Sequence, residues 1–269
     1  MLIVAAVPLA ATATRGESVA QAGAHHGWQE LSLQDANEAQ SLFAAVAADS
    51  PGRRDVRLGE ALALLQLRSR TPGKIADAAR ILESLRAENP NDDVGIGAAY
   101  YLARIAQVHS FTPDRDAAVA GYRALLAAHP THHYAQLAAP KLAMLLLYDD
   151  VPSIEWDRRV AEIEAFIPRL KAPEAIRDTR LTLAMALIRL RHDPVRAYPL
   201  FAACVNAGTL TRLTRINTVL LQAAECAQQL GHPAAAARYY TQFLGDFPQD
   251  AKSDEIRRRL AALPREDRQ

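Results

Sequence analysis

Aromatic residues are scarce in this chain, only 6 % of its 269 positions. No stretch alternates β-branched with polar residues, which excludes a sheet protein on pattern. Charge of one sign is also missing: 31 basic residues stand against 30 acidic, for a net charge of +1. A dedicated nucleic-acid binder would carry a strong basic excess. The one basic run, Arg257-Arg258-Arg259, sits beside Asp254, Glu255, Glu266 and Asp267 and reads as a solvated helix face. No apolar run after the N-terminus approaches the roughly 20 residues of a membrane span. Leu142 to Tyr148 has the length of a buried helix segment.

Chemistry is just as sparse. There is no glycine-rich phosphate loop, nucleophile elbow, paired-cysteine zinc motif or HExxH. Gly95-Ile96-Gly97 lacks a preceding strand and reads as a permissive helix start. His129, His132 and His133 cluster in HPTHH, but no carboxylate or cysteine joins them, and the segment reads as a turn. Asn91-Asp92-Asp93 and Asp149-Asp150 suit helix capping better than acid–base work. Cys204 and Cys226 fall on opposite arms of an expected hairpin, offset by roughly 15 Å at 1.5 Å per residue. A disulfide needs Cα atoms within about 7 Å, so both are expected as small core residues. Trp156 falls on a packing position, and Tyr239-Tyr240 is expected to send one ring inward and one outward. No catalytic residue, metal or cofactor is expected.

The N-terminus, MLIVAAVPLAATA, is uncharged and apolar, with small-x-small sites at Ala11-Thr12-Ala13 and Ser18-Val19-Ala20. It has the h-region and c-region of a secretory signal peptide without the basic n-region. Residues 1–20 are therefore expected to be a signal peptide or a disordered terminus, and 21–32 a linker. Periodic helix fills 33–263, and 264–269 is a tail. A periplasmic or secreted location follows from the leader, with a cytoplasmic one as the alternative.

Alanine and helix-forming residues are abundant. Alanine beats with a larger residue in Ala39/Phe43, Ala78/Leu82, Ala118/Tyr122, Ala197/Phe201 and Ala236/Tyr240, and less cleanly in Trp156/Val160. Successive starts lie about 38 to 41 residues apart, the range of helical repeats. Four of the runs end in Pro51, Pro90, Pro130 and Pro248, where a helix stops for want of a donor. Reading prolines as stops predicts five helix pairs with one flanking helix at each end. Pro140 and Pro199 fall inside predicted helices and imply kinks or shifted boundaries.

Fixed offsets recur within each unit. One reads Leu102-x2-Ile105-Ala106-x11-Ala118-x3-Tyr122-x2-Leu125-x4-Pro130. Another reads Leu220-x2-Ala223-Ala224-x11-Ala236-x3-Tyr240-x2-Phe243-x4-Pro248. This pattern resembles the tetratricopeptide repeat family, and 235–263 resembles the repeats of bacterial envelope-assembly proteins. The resemblance implies an all-α, right-handed α-solenoid of antiparallel helix hairpins that binds a protein or peptide without catalysis. It implies neither nucleic acid nor a membrane span, and leaves oligomeric state open. An adaptor in the cytoplasm, or an arm of a cell-wall-acting enzyme system, is the alternative role. In this family the first helix of each pair lines a groove, which here implies Tyr100, Arg104, Gln107, Thr179, Thr182, Arg189, Thr218, Gln222 and Glu225. The Lys, Asn and Arg of the family's carboxylate-clamp subset are replaced at matching points by Ala63, Leu67, Ala103 and Gln107, so that clamp is not expected.

Overall fold

The computed structural model describes residues 19–50, 52–148, 153–211 and 214–264. The apolar leader, Pro51, Asp149-Asp150 and the tail beyond 264 lie outside the described residues. Those described form thirteen α-helices and no strand. The chain divides into two compact units, Met1–Ala128 and His129–Gln269.

The first unit holds α1 (Val19–Ser32), α2 (Ala36–Asp49), α3 (Arg54–Gln66), α4 (Pro72–Glu88), α5 (Asp93–Arg104) and α6 (Arg115–Ala128). Each packs on the next. Their starts are set locally by side chains that satisfy orphan N–H groups of the first turn. Asp35 accepts from Glu38 N at 3.1 Å, Thr71 from Lys74 N at 3.3 Å and Asp92 from Gly95 N at 2.8 Å. Pro72 occupies the first turn of α4, where its missing donor costs nothing. At its C-terminal end α5 widens into one π-helical turn, Ile105–His109.

The second unit holds α7 (His133–Leu147), α8 (Ser153–Phe166), α9 (Pro173–Arg191), α10 (Pro194–Asn206), α11 (Ile216–Gln229), α12 (Pro233–Asp246) and α13 (Ser253–Ala262). A 3-10 turn, Ile167–Arg169, follows α8. Pro140 and Pro199 both lie inside helices, in α7 and α10. Gly231, with φ at +74°, closes the turn after α11 in the left-handed region that glycine enters freely.

The alanine beat is the core. Ala39, Phe43, Ala78, Leu82, Ala118 and Tyr122 in the first unit are wholly buried, as are Ala197, Phe201, Ala236 and Tyr240 in the second. Full burial of such large side chains stabilises by roughly 1.5–3 kcal/mol each. The small member of each beat lets helices approach, and glycine does the same: a Cβ on Gly59 would lie 2.3 Å from the Phe43 ring. Trp28 closes the same ring edge-on at 5.4 Å between centroids.

Four expectations need correction. The stretch 21–32 is not a linker: it lies within α1, whose Ala24 and Leu31 are buried against α2. Its small, mixed composition masked a helix that packs by close approach, Gly23 against Val46 and Gly27 against Phe43. The count is therefore six pairs plus α13 among the described residues, not five pairs with two flanking helices. Tyr239 and Tyr240 are both buried, because Tyr239 turns under the Arg238 guanidinium, 4.9 Å from the ring centre. Gly95 is a close-approach glycine, not merely permissive: a Cβ there would sit 1.8 Å from the Asn89 carbonyl oxygen.

The irregularity near Trp156 is real. In the second unit α7 packs on α9 more extensively than either packs on α8. Trp156 is buried, as its packing position implied, with the Arg191 guanidinium 4.7 Å over its ring. Cys204 and Cys226 are free and buried.

Candidate functional site

In the first unit α5 and its π turn carry three of the expected groove residues. Helical spacing puts Tyr100 and Arg104 one turn apart on α5, and the wider π turn swings Gln107 back toward them. The Gln107 side-chain carbonyl accepts from Arg104 Nη1 at 2.6 Å and from Tyr122 Oη of α6 at 2.7 Å. Tyr100 is buried, edge-on to Tyr101 at 5.1 Å and tilted against Tyr122 at 6.2 Å. It supports the site from beneath and does not line it. Arg104 and Gln107 are half-buried.

Two further residues join them. His109, at the end of the π turn, is buried, and its Nδ1 lies 3.5 Å from Nη1 of Arg70 in the loop between α3 and α4. Arginine has no acceptor, so that nitrogen faces Arg70 with its lone pair and the ring is neutral. Burial, then the charges of Arg104 and Arg70, push the His109 pKa down to about 4. Burial also pushes Tyr101 and Tyr122 up to about 12, against an opposing pull from Arg104. Arg53, Arg54, Arg57 and Arg80 of the same unit each hold a carboxylate. Arg70 and Arg104 meet none among the described residues. The arrangement is a cationic cluster backed by buried tyrosines, and it can accept hydrogen-bonding anionic groups.

Arg70 and His109 were not among the residues expected from the sequence. A signal existed: they are 39 residues apart, one repeat period, so equivalent positions of consecutive pairs face each other.

In the second unit the expected groove residues divide. Thr179 of α9 is wholly buried, and its hydroxyl has no hydrogen-bond partner, so it belongs to the core. Thr182 is half-buried and donates to the Asp178 carbonyl at 2.7 Å. Arg189 is exposed. On α11, Gln222 Nε2 donates to Glu225 at 2.9 Å, and Arg259 of α13 donates to the same carboxylate at 2.8 Å. Thr218 is half-buried on the same helix. Glu225 is thus committed to holding α13. The basic run is committed too: Arg257 binds Asp254 at 2.6 Å, and Arg259 also binds Glu255. An open cleft beside Trp156 is lined by Asp157, Arg191, His192 and Arg196. Its Arg196 is spent on Asp157 at 2.9 Å and on Glu164 at 3.4 Å.

Among the described residues no three His, Cys, Asp or Glu side chains converge as a metal site would need. No helix there is long and apolar enough to cross a membrane.

Comparison with known proteins bears on the fold and not on these side chains. Residues 218–250, which span α11 and α12, match the family described as tetratricopeptide repeat. No curated protein matches the chain by sequence. A crystal structure of PilW, a widely conserved type IV pilus biogenesis factor, is similar in fold at 14 % identity with a TM-score of 0.56. The likeness covers 89 % of this chain and 99 % of that one. A tetratricopeptide repeat protein from Parabacteroides merdae is 12 % identical with a TM-score of 0.49, covering 92 % of this chain and 94 % of that one.

Proposed function

We propose that this chain, a tetratricopeptide repeat protein, is a non-enzymatic scaffold that binds other proteins or peptides in the bacterial cell envelope. The observation that carries the reading is the repeat itself. The recurring large residues are consumed in packing between helices, while Arg104 of α5, Thr182 of α9 and Thr218 of α11 keep part of their surface open to solvent. A frame of that kind presents surface and holds no convergent catalytic group. The envelope location rests on the apolar leader at 1–13 and its small-x-small sites. The likeness to PilW, at 14 % identity, supports the fold and leaves the partner of this chain open.

Photo-crosslinkers placed at Gln107 and Thr218, one in each unit, test the scaffold. Specific crosslinks to a protein in the envelope fraction are expected. N-terminal sequencing of the mature protein tests the location, with a start after Ala13 or Ala20 expected. A chain confined to the cytosol with residues 1–13 intact would sink the envelope assignment and leave a cytoplasmic adaptor.

A further inference from the structure

The cationic cluster around Arg104 meets no carboxylate of its own unit among the described residues. Arg104 is half-buried, and its charge is met only by the neutral carbonyl of Gln107 and by phenol rings. Arg70 approaches the neutral His109 from the neighbouring loop. A charge withdrawn from water is ordinarily paired, because its lost hydration is otherwise uncompensated. The part-buried arginines that open α3 are paired: Arg54 by itself engages both Glu88 and Asp92. The π turn is the second departure. It is where the helix abandons its regular ladder, and it exposes Val108, while the loop it enters exposes Phe111 at 64 % of its surface. Exposed large apolar side chains within two residues of His109, whose ring meets one of two guanidinium groups that no carboxylate pairs among the described residues, make the composition of a protein-binding hot spot.

We propose that Arg70 and Arg104 receive an internal Asp or Glu side chain of a protein partner, in a short acidic segment whose neighbouring large apolar residue packs on Val108 and Phe111. The proposal rests on the scaffold reading and names the chemistry of its partner. A planar guanidinium suits a carboxylate because it offers two parallel donors. Gln107 holds one Nη of Arg104 and so fixes the direction in which the remaining donors face. His109 reports the local preference for negative charge: beyond its burial, the charges of Arg104 from α5 and Arg70 from the adjoining loop oppose its protonation.

The test uses the full chain and three fluorescein-labelled decapeptides, one of alternating Glu and Leu, one of Gln and Leu, and one of Glu and Ser. Fluorescence anisotropy at low salt should show saturable binding of the Glu/Leu probe. The other two should bind about tenfold more weakly or worse. Arg104→Gln and Arg70→Gln should each weaken the Glu/Leu probe by about tenfold, while Arg80→Gln, which removes an exposed arginine paired with Asp77, should not. Should Arg104→Gln melt early, Arg70→Gln still decides, since its side chain is exposed. A second readout is the ring titration of His109 by NMR, whose midpoint should rise when the Glu/Leu probe saturates the site. Equal binding by wild type and both variants, equal binding of the Gln/Leu probe, or an unmoved His109 midpoint overturns the proposal. Crosslinks from position 107 that persist when Arg70→Gln and Arg104→Gln are combined in one chain sink this site and spare the scaffold. Absence of crosslinks from the wild type at both positions sinks the scaffold reading itself.

Discussion

Arg54 of α3 reaches Asp92, the residue that caps α5, and donates to the Leu85 carbonyl at 2.7 Å on the way. One guanidinium therefore joins the start of one helix pair to the end of its second helix and to the start of the next pair.

Replacing Asp92 by Ala removes a helix cap and an ion-pair partner together. Loss of the cap alone costs about 1 kcal/mol. Burial works to raise the Asp92 pKa, but the Gly95 N–H and Arg54 outweigh it and hold the carboxyl below its ordinary 3.8. A depressed carboxylate stabilises the fold above that ordinary value and ceases to as pH falls through the lower folded value. Urea midpoints should show Asp92→Ala clearly destabilised at pH 7 and the gap closing in strong acid.

His109 predicts a second pH window with the same direction. Its folded pKa is near 4 against an ordinary 6.5. Between those values the unfolded chain takes up a proton that the folded chain refuses, so stability falls as pH drops from 6.5 toward 4. The ceiling is about 3 kcal/mol. His109→Gln should lessen the fall of the urea midpoint across that window. His133, held low by burial and by His132, contributes equally in both proteins and does not confuse the comparison.

Thr179 places a hydroxyl with no partner in a wholly buried site. Valine has nearly the same shape and nothing to satisfy. Thr179→Val should raise stability by about 1 kcal/mol, read as a higher melting temperature, and leave partner crosslinks unchanged. A lower melting temperature would show that the hydroxyl is hydrogen-bonded in solution.

Two glycines should respond oppositely to the same change. Gly95→Ala forces a methyl into the Asn89 carbonyl and should destabilise by several kcal/mol, because backbone must shift. Gly245, on the exposed side of α12, has nothing within 4 Å of a new Cβ. Gly245→Ala should stabilise by roughly 0.5–1 kcal/mol by restricting the unfolded chain. Thermal melts of the two variants suffice.

Much of the frame was legible because repetition amplifies it. Phe43 or Tyr122 alone is one large residue, but at a common offset from Ala39 and Ala118 each marks a packing plane. Helix α1 was not legible, because Gly23 and Gly27 weaken intrinsic helix preference and matter only against Val46 and Phe43, which lie beyond local sequence. The cationic cluster was half legible. Arg104 and Gln107 follow from the face of a first helix, whereas Tyr100 on that face is drawn under by Tyr101 and Tyr122. Thr179 and Glu225 were misplaced for a related reason: the face of a helix says which side chains could be reached, while neighbouring helices decide which are covered or already engaged.

Gln136 settles a question of length. Its buried amide donates to the Pro130 carbonyl and accepts from Lys171 N at 2.8 Å and Ala172 N at 2.9 Å. The turn that opens α7 and the turn that opens α9 are thereby held to one side chain, with α8 as an excursion between them. Where α9 begins is measured from Gln136 and not by dead reckoning through α8. An error in the length of that excursion is therefore not handed on to the helices that follow, and the least regular pair of the array leaves the register of its successors intact.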